Sequence, residues 1–165
     1  MIPTPKQQFI DAYNQEHATT LRVLRAFPAD QAELRPASKC RTARELAWIF
    51  VGEQGMCAVA LTTGFDWSKP PQMPPPPATL AEIMAAFEKG REQIVALVAA
   101  KDDHLTGSVA FPTAPRTIGD MPLPNFLWMT LCDQIHHRGQ LSVYLRMAGG
   151  RLPSIYGPTA DESWM

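Results

Sequence analysis

Apolar residues recur every three or four positions in four separate stretches of the chain, the period of one buried helix face. The first stretch, residues 4–27, carries Phe9, Tyr13, Glu16 or His17, Thr20 or Leu21, Leu24 and Phe27, with Pro28 just beyond. The second, residues 43–63, opens on Thr42 and Glu45, spaced as a capping box that closes free N–H groups of a first helical turn. Its stripe is Leu46, Ile49 or Phe50, Glu53, Cys57, and Ala60 or Leu61. The third, residues 79–100, opens on another such box, Thr79 and Glu82, and follows Leu80, Ile83 or Met84, Phe87, Ile94, and Leu97 or Val98. Gly90 and Arg91 interrupt it, which predicts open space in the core at mid-helix. The fourth, residues 124–148, follows Phe126, Thr130, Leu141, Tyr144 and Ala148 and stops at Gly149-Gly150, a good left-handed terminus.

The connections are long. Residues 64–78 include Pro70, Pro71, Pro74, Pro75, Pro76 and Pro77, so this linker is stiff and extended. Residues 101–122 show no convincing strand alternation and read as an irregular crossover. The tail, residues 149–165, is too apolar around Leu152, Ile155 and Tyr156 for a free terminus and is expected to pack on the helices. The pattern as a whole predicts an all-α fold, a single four-helix bundle domain over residues 1–165.

Composition narrows the class. The chain has 165 residues, 45% of them hydrophobic and 19% charged, which suits one globular domain. A formal net charge of −1 with interspersed signs gives no footprint for nucleic acid or an anionic membrane, so neither is expected as a partner. The start has no apolar signal segment, and no run approaches a membrane span, so a cytoplasmic protein is expected. Cys40, Cys57 and Cys132 are too dispersed for a disulfide framework or a thiolate zinc knuckle.

The candidate chemistry lies on the fourth stripe. Asp133 and His137 are one turn apart and continue the line of Phe126 and Thr130 toward Leu141. A carboxylate and an imidazole on a buried face call for a partner, because either is costly to bury alone. Glu53 holds the equivalent place on the second stripe. Together the three make a donor set suited to a divalent metal with open positions. Two plainer readings stand beside this one. Asp133 and His137 satisfy each other, Arg138 or a water, and Glu53 is a rim residue paired with an arginine. A competing soft pair, Cys132 and His136, lies about 100° around the same helix but lacks an obvious third ligand. His17 reads as a packing residue and His104 as solvated. Pro71-Gln72-Met73-Pro74 has the form of an SH3 ligand but reads more simply as a stiff crossover. Gly139, mid-helix, suggests a close approach by another element or a tolerated exposed glycine.

Several segments carry a family resemblance. His136-His137-Arg138-Gly139-Gln140, then Tyr144-Leu145-Arg146, then Pro153 to Pro158, with Thr42 to Trp48 upstream, resemble the DinB-like family in order and spacing. The resemblance implies an up-up-down-down four-helix bundle, a homodimer, and zinc or nickel held by three histidines, one on helix 2 and two in an H-x-x-x-H of helix 4. It also implies, for some members, thiol-dependent S-transferase or isomerase activity. Of the expected ligands only His137 is present. Asp133 stands where the first histidine of the pair belongs, and Ile49 stands at the helix 2 position. Glu53, one turn later, is the replacement the sequence offers.

Two functions follow as expectations. In one, Glu53, Asp133 and His137 hold a divalent ion that activates a water or a thiol, as in a hydrolase or an S-transferase. In the other, the bundle is non-catalytic. It binds a small apolar ligand near Gly90 or serves as a stress-associated dimer. Trp128, Met129, Val143 and Met147 form a second apolar face on helix 4, a basis for two-fold pairing.

Overall fold

The structure, a computed structural model, describes residues 2–165. Helix α1 spans Pro5–Ala26, α2 Ala43–Leu61, α3 Leu80–Ala99 and α4 Leu123–Met147. The Thr4 side chain caps α1 by accepting from the Gln7 N–H. Complete capping boxes start α2, from Thr42 and Glu45, and α3, from Thr79 and Glu82. A short 3₁₀ turn, Ala29–Gln31, lies between α1 and α2.

The segment read as irregular contains a β-hairpin. Strand β1 (Ser108–Ala114) pairs antiparallel with β2 (Thr117–Pro122), Val109 opposite Met121 and Phe111 opposite Gly119. Pro112 and Pro122 hide it from the sequence pattern, since proline removes ladder donors and is tolerated only where an edge is free. A two-stranded ribbon has two such edges, and the register shifts between Pro112 and Ala114. Val109 is buried, and Phe111 packs on Phe65, Trp67 and Phe126. The hairpin therefore closes one end of the bundle.

Helix directions follow from contacts between their side chains. Phe9 meets Trp128 and Glu16 meets Arg138, so α1 and α4 run parallel. Phe50 meets Phe87 while Gln54 bonds the Phe87 carbonyl, and a Cβ at Gly90 would strike Gln54, so α2 and α3 also run parallel. Asn14 bonds Arg91 and Arg25 bonds Glu88, which sets α1 against α3. The order is up-down-down-up, not the up-up-down-down order implied by the family resemblance. The connections explain it. Those joining α1 to α2 and α3 to α4 turn back at one end, whereas residues 62–79 must travel the whole length of α2. Extended proline-rich chain covers about 3 Å per residue, ample for a helix rising about 1.5 Å per residue. Arg44 donates to the Pro76 and Pro77 carbonyls and Trp48 Nε1 to the Pro74 carbonyl at 2.8 Å, which straps the linker to α2.

The core falls into two apolar clusters. One gathers Leu24, Leu46, Phe50, Phe87, Leu141 and Leu145. The other gathers Phe9, Cys57, Ile94, Val98, Phe126 and Leu127 beneath the hairpin. Between them lies a layer of buried polar side chains: Glu16, His17, Thr20, Glu53, Gln54, Gln134 and Arg138. The tail crosses this layer from outside. Leu152 and Ser154 are buried, and the Tyr156 hydroxyl reaches Glu16 and Arg138.

Candidate metal centre

Glu53 projects from the middle of α2 into the polar layer and is 5% exposed. It is thus neither a rim residue nor an arginine partner. Asp133 and His137 face it from α4. Their helix is turned further than the sequence stripe implies. The buried line runs through Leu131, Gln134, Arg138 and Leu141, so the Asp133 side chain is 57% exposed and His137 15%. The trio lies at the edge of the core, not inside it.

Ligand-type atoms of the three residues all lie within 4.8 Å of one another. His137 Nε2 stands 3.8 Å from Glu53 Oε1 and 3.7 Å from Asp133 Oδ2. These separations are too long for hydrogen bonds. They are close to the spacing of donors around a small ion, about 3.4 Å for tetrahedral bonds of about 2.1 Å. The far side of the imidazole is held by Gln140. Its amide oxygen lies 3.3 Å from His137 Nδ1 and its amide nitrogen 2.9 Å from His136 Nε2. An amide oxygen can only accept, so His137 carries a proton on Nδ1. In the neutral imidazole the Nε2 lone pair is then directed at two carboxylates.

Both Glu53 oxygens are buried without a hydrogen-bond partner. Burial pushes its carboxyl up to about 9, and the nearby Asp133 carboxylate adds to the rise, while Gln134 opposes it. Two carboxyl groups and a lone pair converge with no positive group between them. A divalent cation resolves this; a proton held on Glu53 resolves it in part. Thus the donor chemistry fits a metal, with Glu53, Asp133 and His137 as the side chains that would hold it.

Ile49, at the expected histidine position, lies one turn away from Glu53 on α2 and offers no donor. Cys132 and His136 point outward; Cys132 is exposed and His136 is engaged by Gln140. The soft pair is therefore not assembled into a site. His17 stacks on Phe87 at 4.1 Å and bonds its carbonyl at 3.1 Å, with burial holding its pKa down, as suits a packing residue. His104 is exposed. Cys57 is fully enclosed one turn below Glu53, and burial pushes its thiol up to about 12, which leaves it inert as a nucleophile. The space expected beside Gly90 does not exist. Gln54 fills it, donating to the Tyr13 hydroxyl at 2.9 Å and the Phe87 carbonyl at 3.0 Å.

Two further features adjoin the centre, and the first is Arg138, which pairs with neither Asp133 nor His137. Arg138 is 1% exposed and bonds Glu16, Thr20 and Tyr156. A cleft of about 550 Å³ lies between the outer face of α2 and the strap, with Glu53 and Asp133 at its edge.

A family model described as the DinB family matches residues 3–164. The chain belongs to the DinB family. An uncharacterized Bacillus subtilis protein, YrdA, is 28% identical over 159 residues, covering 94% of this chain and 90% of the relative. A crystal structure of a DinB-like protein from Bacillus cereus superposes with a TM-score of 0.77 at 23% identity, over 94% of this chain and all of that one. A second DinB-like protein, YjoA of Bacillus subtilis, gives 0.68 at 18% identity, over 90% and 97%. At these identities the structural likeness establishes the fold. Within this DinB chain, among the described residues, Glu53, Asp133 and His137 are the group of acidic, histidine or cysteine side chains close enough to share an ion. Among the described residues no helix is long and apolar enough to cross a membrane.

Proposed function

We propose that this DinB-family chain binds one divalent metal ion through Glu53, Asp133 and His137 and uses it to activate a water or a thiol, as a hydrolase or S-transferase does. The observation carrying this reading is the pair of unpartnered, buried Glu53 oxygens facing a histidine nitrogen whose lone pair is free. A bound ion in such a site lowers the pKa of a coordinated water or thiol and so supplies a nucleophile near neutral pH. The protein residues do the rest. Gln140 fixes the His137 tautomer, the α2 backbone fixes Glu53, and the exposure of Asp133 leaves an approach from solvent. Two carboxylates and one imidazole suit zinc or nickel and shift preference toward oxygen-loving ions such as manganese.

The chain is also proposed to pair two-fold through α4. Trp128, Met129, Val143 and Met147 are exposed there, and a single monomeric species in sedimentation at micromolar concentration would refute the pairing.

A second reading, a non-catalytic bundle with a degenerate centre, is favoured by Ile49 and by the ease with which Glu53 stays protonated. Metal content separates the two. Untagged protein offered zinc, nickel and manganese and then desalted is expected to retain about one equivalent. His137→Ala should abolish retention with helicity intact, and His136→Ala should leave most of it. If wild-type protein retains none of the three ions, the metal reading fails.

A further inference from the structure

We infer that the cleft between α2 and the proline strap is the substrate cleft of the proposed centre. The molecule it takes has an uncharged, apolar body and a single donor head. The inference rests on the metal reading for the head alone; the body is recognised by the cleft itself. Trp48, Ile49, Met56 and Val59 present the outer face of α2, and Met73 and Pro74 of the strap face them. Glu53 and Asp133 adjoin this apolar space, so a molecule lying in it would bring one end to the ion-binding atoms. The volume, about 550 Å³, is that of a small-molecule site.

Charge decides the class. Among the described residues lining the cleft there is no lysine, arginine or histidine. A phosphate, or a peptide thiol with its own carboxylates, would find nothing to pair with and would meet Glu53 and Asp133 instead. A divalent ion held by those two carboxylates has its charge balanced, so it leaves no surplus attraction for a polyanion. The departure at Ile49 acquires a sense here. An isoleucine, where relatives are expected to carry a ligand, extends the apolar wall up to the donors. The strap is a fixed wall rather than a loose loop. The Trp48 and Arg44 bonds anchor it, and Met73 packs so closely on Gly52 that a Cβ there would collide with its sulfur.

Gly55 provides a clean test. It is exposed in the cleft, and a Cβ added to it meets nothing within 4 Å, so Gly55→Trp starts its side chain into open space on α2, and unchanged helicity and zinc content of the variant check that the fold and the three ligands are intact. Octanohydroxamate and acetohydroxamate share one chelating head and differ in their apolar tail. Calorimetry on zinc-loaded protein should show the octanoyl compound binding at least tenfold tighter. Gly55→Trp should erase that gain while keeping zinc content and acetohydroxamate affinity. The neutral alcohol 4-phenyl-1-butanol should shift the amide resonances of Ile49, Met56 and Met73 with or without zinc, and glutathione should not. The alcohol experiment keeps the cleft testable if no metal binds, because its shifts need no ion. Equal affinity of the two hydroxamates in zinc-loaded protein, loss of the alcohol shifts, or glutathione binding in the cleft would each overturn the inference.

Discussion

Arg138 Nη1 lies 2.6 Å from Glu16 Oε2 in the middle of the bundle, joining α4 to α1 through an arginine that solvent barely touches. The same guanidinium donates to the Tyr156 hydroxyl, which in turn donates to Glu16, so the tail completes the network. Breaking a buried pair by removing one partner costs about 3–5 kcal/mol, because the other charge is left stranded. Arg138→Ala should lower stability by that order in urea unfolding. Glu16→Gln/Arg138→Met, which removes both charges, should lose less than Arg138→Ala alone.

Gly90 owes its identity to Gln54. Alanine there would drive a methyl group into the Gln54 amide, which is bonded to Tyr13 and the Phe87 carbonyl. The gain in helix propensity, up to about 1 kcal/mol, opposes the loss of buried hydrogen bonds worth about 1–3 kcal/mol. Gly90→Ala should therefore destabilise wild-type protein in thermal unfolding. In a Gln54→Ala background the same change should become neutral or stabilising.

Gly139 behaves oppositely. It is exposed on α4 and a Cβ there would meet nothing within 4 Å, so no close approach explains it. Gly139→Ala should raise stability by about 1 kcal/mol, read as a higher urea midpoint with an unchanged slope.

The metal-free protein should lose stability as pH rises. The Glu53 carboxyl is raised from 4.5 to about 9 in the folded chain, so folding favours its protonated form. That contribution is fully present below about pH 4.5, and it is lost as pH climbs through 9, at about 1 kcal/mol per unit between. Melting temperatures of chelator-treated protein at pH 5, 7 and 9 should fall more steeply for wild type than for Glu53→Gln. Saturating zinc should flatten or reverse the wild-type trend, since an ion requires the ionised carboxylate. Parallel slopes for the two metal-free proteins would rule out Glu53 as the titrating group.

The helices were legible because each carries a strong local signal, above all the capping boxes of Thr42 and Thr79. The site was legible in its membership but not in its depth. After Thr130, both 133/137 and 134/138 continue a helical stripe, and hydrophobicity cannot choose between them when the inward residues are Gln134 and Arg138. Burial of a polar side chain depends on partners far along the chain, here Glu16 and Tyr156, which no local period encodes. The hairpin was hidden by its prolines. The apparent hole at Gly90 was filled by a polar side chain from a neighbouring helix, a contact invisible along α3 alone.

The path of the proline strap also governs how the centre is shared along the chain. The strap runs the length of the bundle and divides the sequence into two halves, α1 and α2 before it and α3 and α4 after it, with each helix packed on the two helices of the other half. Glu53 belongs to the first half; Asp133 and His137 belong to the second. An ion bound between them would act as a reversible cross-link, added to the packing and to the Arg138–Glu16 and Gln54–Phe87 bonds that already join the two halves. Such a clasp closes a long loop between α2 and α4, and its loss to a chelator would loosen that contact first.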